Sequence, residues 1–230
     1  MVSEKYIAKI DENLWESCAP ILTKKNKNIF KSILIKHTKR KKFENLFISR
    51  SSPYFNDLVA EISFAHCAKY FSNKLYSTDS IIQKSIERIN ILSGKNIKLE
   101  RITCNELKDS INLSKRLKKF LFSIKGYKSK FHPRLSGYGY LNSCHPDIIA
   151  NTQLIEVKSS NYAFRLEDYR QIFLYFFLAI KNNVSIKTLI LVNPRIGEAL
   201  IMNGFEYFEL MTQMNHSKAI NKFSKFLLSI

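Results

Sequence analysis

Asp147 and the triplet Glu156-Val157-Lys158 are separated by two β-rich halves, Ile148-Ile149-Ala150 and Gln153-Leu154-Ile155, that flank Asn151-Thr152. A two-residue turn at Asn151-Thr152 makes this a hairpin. The register then follows. Ala150 faces Gln153, Ile149 faces Leu154, Ile148 faces Ile155 and Asp147 faces Glu156, because opposed residues share a face of the sheet. Lys158, two residues beyond Glu156, points the same way. Two carboxylates and one ammonium therefore converge on a single patch. Acids this close repel, and one resists ionisation unless a cation sits between them. A hard divalent ion bound through one or two carboxylates plus water and phosphate resolves the conflict. With Lys158 able to orient hydroxide or neutralise charge on phosphate, the pattern suits metal-assisted phosphodiester hydrolysis.

The elements that hold this patch are also readable. A second Glu-x-Lys, Glu106-Leu107-Lys108, follows the capping-box pattern Thr103-Cys104-Asn105-Glu106 and belongs to a helix start, where its two charges diverge. The segment from Phe164 to Ile180 reads as an apolar helix with acids in its first turns. Gln171 and Tyr175 lie four apart on one face of it, where they can hydrogen-bond a phosphate or a catalytic carboxylate.

Pro146-Asp147, Glu156-Val157-Lys158 and Gln171-x-x-x-Tyr175 together resemble the PD-(D/E)XK nuclease superfamily in its RecB-type branch, with Gly137-Tyr138-Gly139-Tyr140 similar to that branch's glycine-containing lead-in. The resemblance is densest over residues 131–195. It implies a restriction-endonuclease-like core: an α/β fold with a mixed central β-sheet flanked by helices. It implies metal ligation at Asp147, Glu156 and Val157, with Mg²⁺ or Mn²⁺ as the cofactor. Lys158 would be the catalytic lysine, and Gln171 and Tyr175 the branch's helix motif. Members usually add an acid or histidine from a preceding helix. Ser52-Pro53 opens such a helix here, and Glu61 is the preferred further ligand, with His66 and His145 as alternatives. An iron–sulfur cluster is not expected, because no cysteine follows Cys144.

Composition sets the outer bounds. The 230 residues fit one domain: a nuclease-like body over 51–230, with 1–50 a basic segment of the same body or a separate arm. The four cysteines lack metal-ligand spacing, which points to reduced thiols in a cytoplasm. No apolar run is long enough for a membrane span, and the mixed-charge start argues against a secretory signal. Net charge is +18, from 37 basic against 19 acidic residues. It concentrates between Thr23 and Arg50, including Lys39, Arg40, Lys41 and Lys42, and again over Lys115 to Arg134, including Lys118, Lys119, Lys130 and Arg134. Such clusters bind phosphate backbones without reading sequence.

The expected function is a Mg²⁺-dependent deoxyribonuclease acting in repair, recombination or defence against mobile DNA, with a helicase or other protein as a permitted partner. The alternatives are a catalytically inactive nucleic-acid-binding subunit and a nuclease acting on RNA. In chain order the patterning predicts a helix near 3–18, a strand-prone basic stretch over 29–50, and a helix from Pro53 to about 75. A helix from Thr78 to Gly94 and one from 104 ending at Gly126 come next. Strands over 136–158, a helix over 164–181, strands at 187–193 and 198–202, and one or two closing helices complete the order.

Overall fold

The computed structural model describes residues 3–10, 12–72, 77–126 and 128–229. Helices α1 (Glu4–Ile10), α2 (Glu12–Cys18) and α3 (Lys27–His37) precede strand β1 (Lys39–Lys42). Then come α4 (Asn56–Ser72), α5 (Thr78–Ser93), α6 (Cys104–Ser123), β2 (Ser129–Phe131), β3 (Ile148–Ala150), β4 (Gln153–Val157) and α7 (Leu166–Lys181). Strands β5 (Thr188–Asn193) and β6 (Glu198–Asn203) and helices α8 (Gly204–Thr212) and α9 (His216–Ser229) complete the described chain. The strands form one open mixed sheet in the order β1-β6-β5-β4-β3-β2. Only β4 and β5 run parallel; the other neighbours are antiparallel. Parallel neighbours need a crossover, and α7 supplies it.

The sheet is buried on both faces. Ile149, Leu154, Leu189, Leu191 and Met202 pack with α7, α1, α2, α8 and α9 around Trp15, Phe173, Phe208 and Phe223. Ile148, Ala150, Ile155, Ile190 and Val192 point the other way, onto Phe64, Cys67, Leu117, Phe120 and Leu121 of α4 and α6. Alternation along each strand makes this division. A smaller cluster of Leu58, Ile62, Ile81, Ile82 and Ile86 fastens α5 to α4.

Local signals in the chain account for most element ends. Thr103 and Glu106 form the capping box of α6, with Thr103 N–H donating to Glu106 Oε2 at 2.8 Å. Ser77 caps α5, and Gly94 closes it in the left-handed conformation at φ +64°. Ser52 and Pro53 open a short 3₁₀ turn that leads into α4, whose expected end near 75 falls outside the described residues.

Four expectations are corrected. The stretch expected as strand from 29 to 50 is helical over Lys27–His37, because Phe30, Ile33 and Leu34 lie three and four apart and pack as one face on the main core. Strand β1 takes only the four residues after it. The left-handed closing position after α6 is Lys125 at φ +57°, while Gly126 N–H donates to Leu121 O at 2.8 Å. Strand β2 precedes the expected strand region. Residues 136–147, expected as strand, hold only isolated bridges, Leu135–Cys144 and Tyr138–Leu141. Two glycines explain that last difference. A Cβ at Gly137 would meet Leu141 O at 2.4 Å, and one at Gly139, where φ is +57°, would meet Leu227 O at 2.2 Å. The segment is folded tightly on itself and onto α9.

Residues 1–50 contribute to the same structure. Arg170 on α7, 1% exposed, donates to Leu22 O at 2.7 Å and Ala8 O at 3.2 Å and pairs with Glu12 at 2.8 Å. Its guanidinium lies 5.1 Å from the Trp15 ring. At the other end of the segment, β1 pairs with β6 from Lys39–Ile201 to Lys42–Glu198.

Candidate active site

The expected hairpin register is present. Ile148 pairs with Ile155, Ile149 with Leu154 and Ala150 with Gln153. Asn151 turns the chain at φ +55°, a left-handed conformation that asparagine tolerates better than most residues. Ile149 and Leu154 face the α7 core, so Asp147, Glu156 and Lys158 extend that same face by parity.

Asp147 lies one residue before β3. Its Oδ2 accepts the Val157 N–H at 2.8 Å, which fastens the carboxylate to the end of β4. Glu156 is 4% exposed. Its Oε1 accepts from Lys158 Nζ at 3.0 Å, while Oε2 is buried with no hydrogen-bond partner. Lys158 Nζ also donates to Gln171 Oε1 at 2.7 Å and lies 3.2 Å from Asp168 Oδ1. Gln171 Nε2 donates to Tyr175 Oη at 2.8 Å, and Tyr175 donates to Glu4 Oε1 at 3.2 Å. The lysine is thus the hub of a network that joins β4, α7 and α1.

The electrostatics follow from this crowding. Burial and the Glu156 charge push the Asp147 carboxyl well above the usual range, against the opposing pull of the Val157 N–H, Lys158 and Lys5. Burial penalises the Lys158 ammonium, but Glu156, Asp168 and Asp147 outweigh it and hold the lysine charged. Burial and the charges of Glu156, Glu4 and Asp147 push the Tyr175 phenol up, so it stays a neutral donor.

Asp147 and Glu156 offer oxygen donors of the type that Mg²⁺ or Mn²⁺ takes. A buried carboxylate oxygen of Glu156 has no partner, and the neighbouring Asp147 resists ionisation because it is buried and faces the Glu156 charge. Hard oxygen donors in this number suit an ion that completes its shell with water and substrate. They do not form an all-protein cage: among the described residues no group of three or more His, Cys, Asp or Glu side chains could hold a metal ion.

Two of the three residues considered as a further ligand are engaged by other partners. Glu61 pairs with Arg88 at 2.9 Å, and that Arg88 nitrogen lies 3.2 Å from His132 Nε2. His145 Nδ1 donates to His132 O at 3.2 Å. His66 is half-buried, and burial together with Lys69 and Lys118 lowers its pKa. His132 itself borders the site, its N–H donating to Asp147 O at 2.9 Å. Burial, Arg88, His145 and Lys5 hold its ring neutral, with a pKa of about 4.

Sequence reasoning missed Asp168, Glu4, Lys5 and His132. Asp168 carries a double duty, pairing with Lys158 and accepting the Arg165 N–H at 2.8 Å at the start of α7. Its place in an acidic first turn was a usable signal. Glu4 and Lys5 reach the site only because α1 packs on α7, and nothing local marks them.

The two basic clusters meet in space. Lys41 Nζ donates to Ser123 Oγ at 3.1 Å, and Glu44 pairs with Arg116 at 2.7 Å and Lys119 at 3.3 Å. Arg40 pairs with Glu198, and Lys42 lies 3.8 Å from the same carboxylate. Lys118 sits 4.9 Å from the Tyr70 ring centroid. Lys39 and Arg134 are exposed, and Lys130 is exposed on β2 at the opposite edge of the sheet. Among the described residues no helix is long and apolar enough to cross a membrane.

The fold and site define an α/β protein with an open mixed sheet and a buried carboxylate–lysine–amide network where a hairpin meets a crossover helix. No protein-family model, curated protein or solved structure matches the chain.

Proposed function

We propose that this chain is a metal-dependent nuclease that hydrolyses phosphodiester bonds in DNA, on a restriction-endonuclease-like core of the RecB-type PD-(D/E)XK branch. The observation that carries the reading is Glu156: a nearly fully buried carboxylate with one unpartnered oxygen, beside a second carboxylate and one ammonium. A merely structural ion pair has no need of a spare buried oxygen or of a neighbouring acid of raised pKa. The order hairpin, helix, returning parallel strand adds support, because it sets Gln171 and Tyr175 of the helix against Lys158 of the hairpin.

Asp147, Glu156 and the backbone at Val157 would hold Mg²⁺ or Mn²⁺; Glu61, paired with Arg88, would have to leave that partner to join them. When bound, such an ion polarises a phosphate and makes water a better nucleophile. Lys158 orients the attacking water and offsets charge that builds on the phosphate. Gln171 and Asp168 hold the ammonium in place, and Tyr175 fixes the Gln171 amide so that its oxygen faces the lysine. The joined basic clusters attract the phosphate backbone. Repair, recombination or defence against mobile DNA, in a cytoplasm and with a helicase partner, is the setting this chemistry suits.

The test is cleavage of plasmid and single-stranded DNA in Mg²⁺ or Mn²⁺, with single-stranded RNA alongside, comparing the native chain with Lys158→Ala and Glu156→Gln. Equal cleavage by all three defeats the assignment, and preference for RNA moves the substrate class. One observation favours a non-cleaving nucleic-acid-binding subunit instead: Lys158 is already engaged by Glu156, Gln171 and Asp168. That reading requires salt-dependent DNA binding that needs no metal and is unaffected by Asp147→Ala.

A further inference from the structure

Between α4, α5 and the edge strand β2 lies a cavity of about 460 Å³, within the usual range for ligand sites. Lys69, Lys84, Arg88 and Lys130 line it, against a single carboxylate, Glu61, which Arg88 already engages at 2.9 Å. Its lining thus holds more basic than acidic side chains. One wall is aromatic: the Phe64 ring centroid lies 5.4 Å from that of Phe131 and 4.7 Å from that of His132.

The cavity adjoins the acid cluster. His132, in its wall, donates its backbone N–H to Asp147 O at 2.9 Å. It does so at φ +48°, a left-handed conformation that is costly for a non-glycine residue and tends to persist where function requires it. Of the acids named as metal ligands only Glu61 lines this cavity, where Arg88 holds it.

Cations next to an aromatic wall are the combination that takes a phosphate and a base together. Inorganic phosphate alone would make no use of the rings, and an apolar ligand would make none of the lysines. A paired base cannot lay its face on a protein ring without leaving its stack. The chemistry thus selects an unpaired nucleotide.

We propose that this cavity binds one unpaired nucleotide of a nucleic-acid strand passing Asp147, its base against Phe131 and His132, which the buried Phe64 ring backs, and its phosphates among Lys84, Arg88 and Lys130. The assignment rests on the nuclease reading for what the strand is delivered to, but binding is measurable without cleavage. The site sets the side of approach: the strand reaches Asp147 from the β2 edge of the sheet, past His132.

The experiment is fluorescence anisotropy on the full chain in EDTA, so that no strand is cut. The probes are a labelled oligothymidylate of about 12 nucleotides and a duplex of equal length, with thymidine monophosphate as competitor. The native chain is expected to hold the single strand about tenfold tighter than the duplex. Lys84→Gln/Arg88→Gln and, separately, Phe131→Leu should each weaken single-strand binding about tenfold and leave duplex binding within about twofold. Phe131→Leu keeps apolar bulk and removes only the ring, and a thermal melt of each variant checks its fold. Unchanged single-strand affinity in both variants overturns the site, as does an equal loss for the duplex. Thymidine monophosphate competing as well as the oligonucleotide overturns the strand assignment. A chain that shows the expected pattern but cuts nothing in Mg²⁺ supports the site and counts against the nuclease reading alone.

Discussion

Gln171 Oε1 accepts a hydrogen bond from Lys158 Nζ at 2.7 Å, which ties the second turn of α7 to the end of β4. The Gln171 amide is oriented in turn by its bond to Tyr175. Gln171→Leu is expected to lower the cleavage rate about 10–100-fold, the usual effect of losing a partner that orients a metal-site group. DNA affinity should hardly change. Tyr175→Phe removes a single hydroxyl and should cost about 1 kcal/mol of stability with a smaller loss of rate. Steady-state plasmid cleavage and thermal melts separate the two effects.

Lys158 carries the only side-chain hydrogen bond to Glu156 among the described residues and also pairs with Asp168. Lys158→Ala should slow cleavage about 10²–10³-fold while DNA binding at matched salt stays close to native. It leaves two acids facing each other in a largely buried site, so stability should also fall, by about 3 kcal/mol. Rates are therefore to be compared well below both melting temperatures. A variant that is destabilised but cuts at the native rate would reduce Lys158 to a structural residue.

Asp147 yields a pH prediction. Its folded carboxyl titrates above its ordinary value of 3.8, because burial and Glu156 disfavour the charged form. The folded state then keeps a proton that the unfolded state has lost, so this residue's contribution to stability falls as pH rises from near 3.8 through the folded value. Asp147→Asn removes that penalty and should raise the melting temperature at pH 7 without metal, with no gain near pH 3. Adding Mg²⁺ or Mn²⁺ should stabilise the native chain and not the variant. A native melting temperature indifferent to both metals argues against ion binding at this pair.

Asp109 behaves in the opposite sense. Burial raises its carboxyl, but hydrogen bonds from the Ser49 and Ser51 hydroxyls and the Ser51 and Arg50 backbone outweigh burial and hold it below the ordinary range. The stability it contributes is fully present above its unfolded pKa of about 3.9 and is lost as pH falls through the lower folded value. Asp109→Ala should cost about 2–3 kcal/mol at pH 7, measured by urea unfolding, and much less at the acid end of the curve.

Arg170 clamps the N-terminal helices to α7. Arg170→Met should destabilise the fold by about 3 kcal/mol, and limited proteolysis should then cut ahead of Asn26 while the remainder resists. Simultaneous loss of the whole chain would show instead that residues 1–50 unfold together with the rest.

Legibility varied with the range of the interaction. The Asn151-Thr152 turn, the hairpin register, the Thr103 capping box and the Gly94 helix end rest on neighbours within a few residues, and each is where its local chemistry placed it. The helix at Lys27–His37 was obscured because β-branched residues share that stretch with a helical period, and packing of Phe30 decided between them. Strand β2 is three residues long and half-exposed, too short to carry a period. Asp168 was visible as a first-turn acid but not as a lysine partner.

From its residues alone, the chain determined that Asp147, Glu156 and Lys158 share a face, because side chains alternate along a strand and a short turn sets which residues oppose. It also determined a strong positive charge and its two centres. Only the tertiary structure decided that Asp168 pairs with Lys158 and Glu4 with Tyr175, that Glu61 pairs with Arg88, and that a cationic aromatic cavity opens beside His132. Those contacts join residues as far as 171 positions apart, and the pairing of most of them depends on how helices pack on the sheet, which no local pattern encodes.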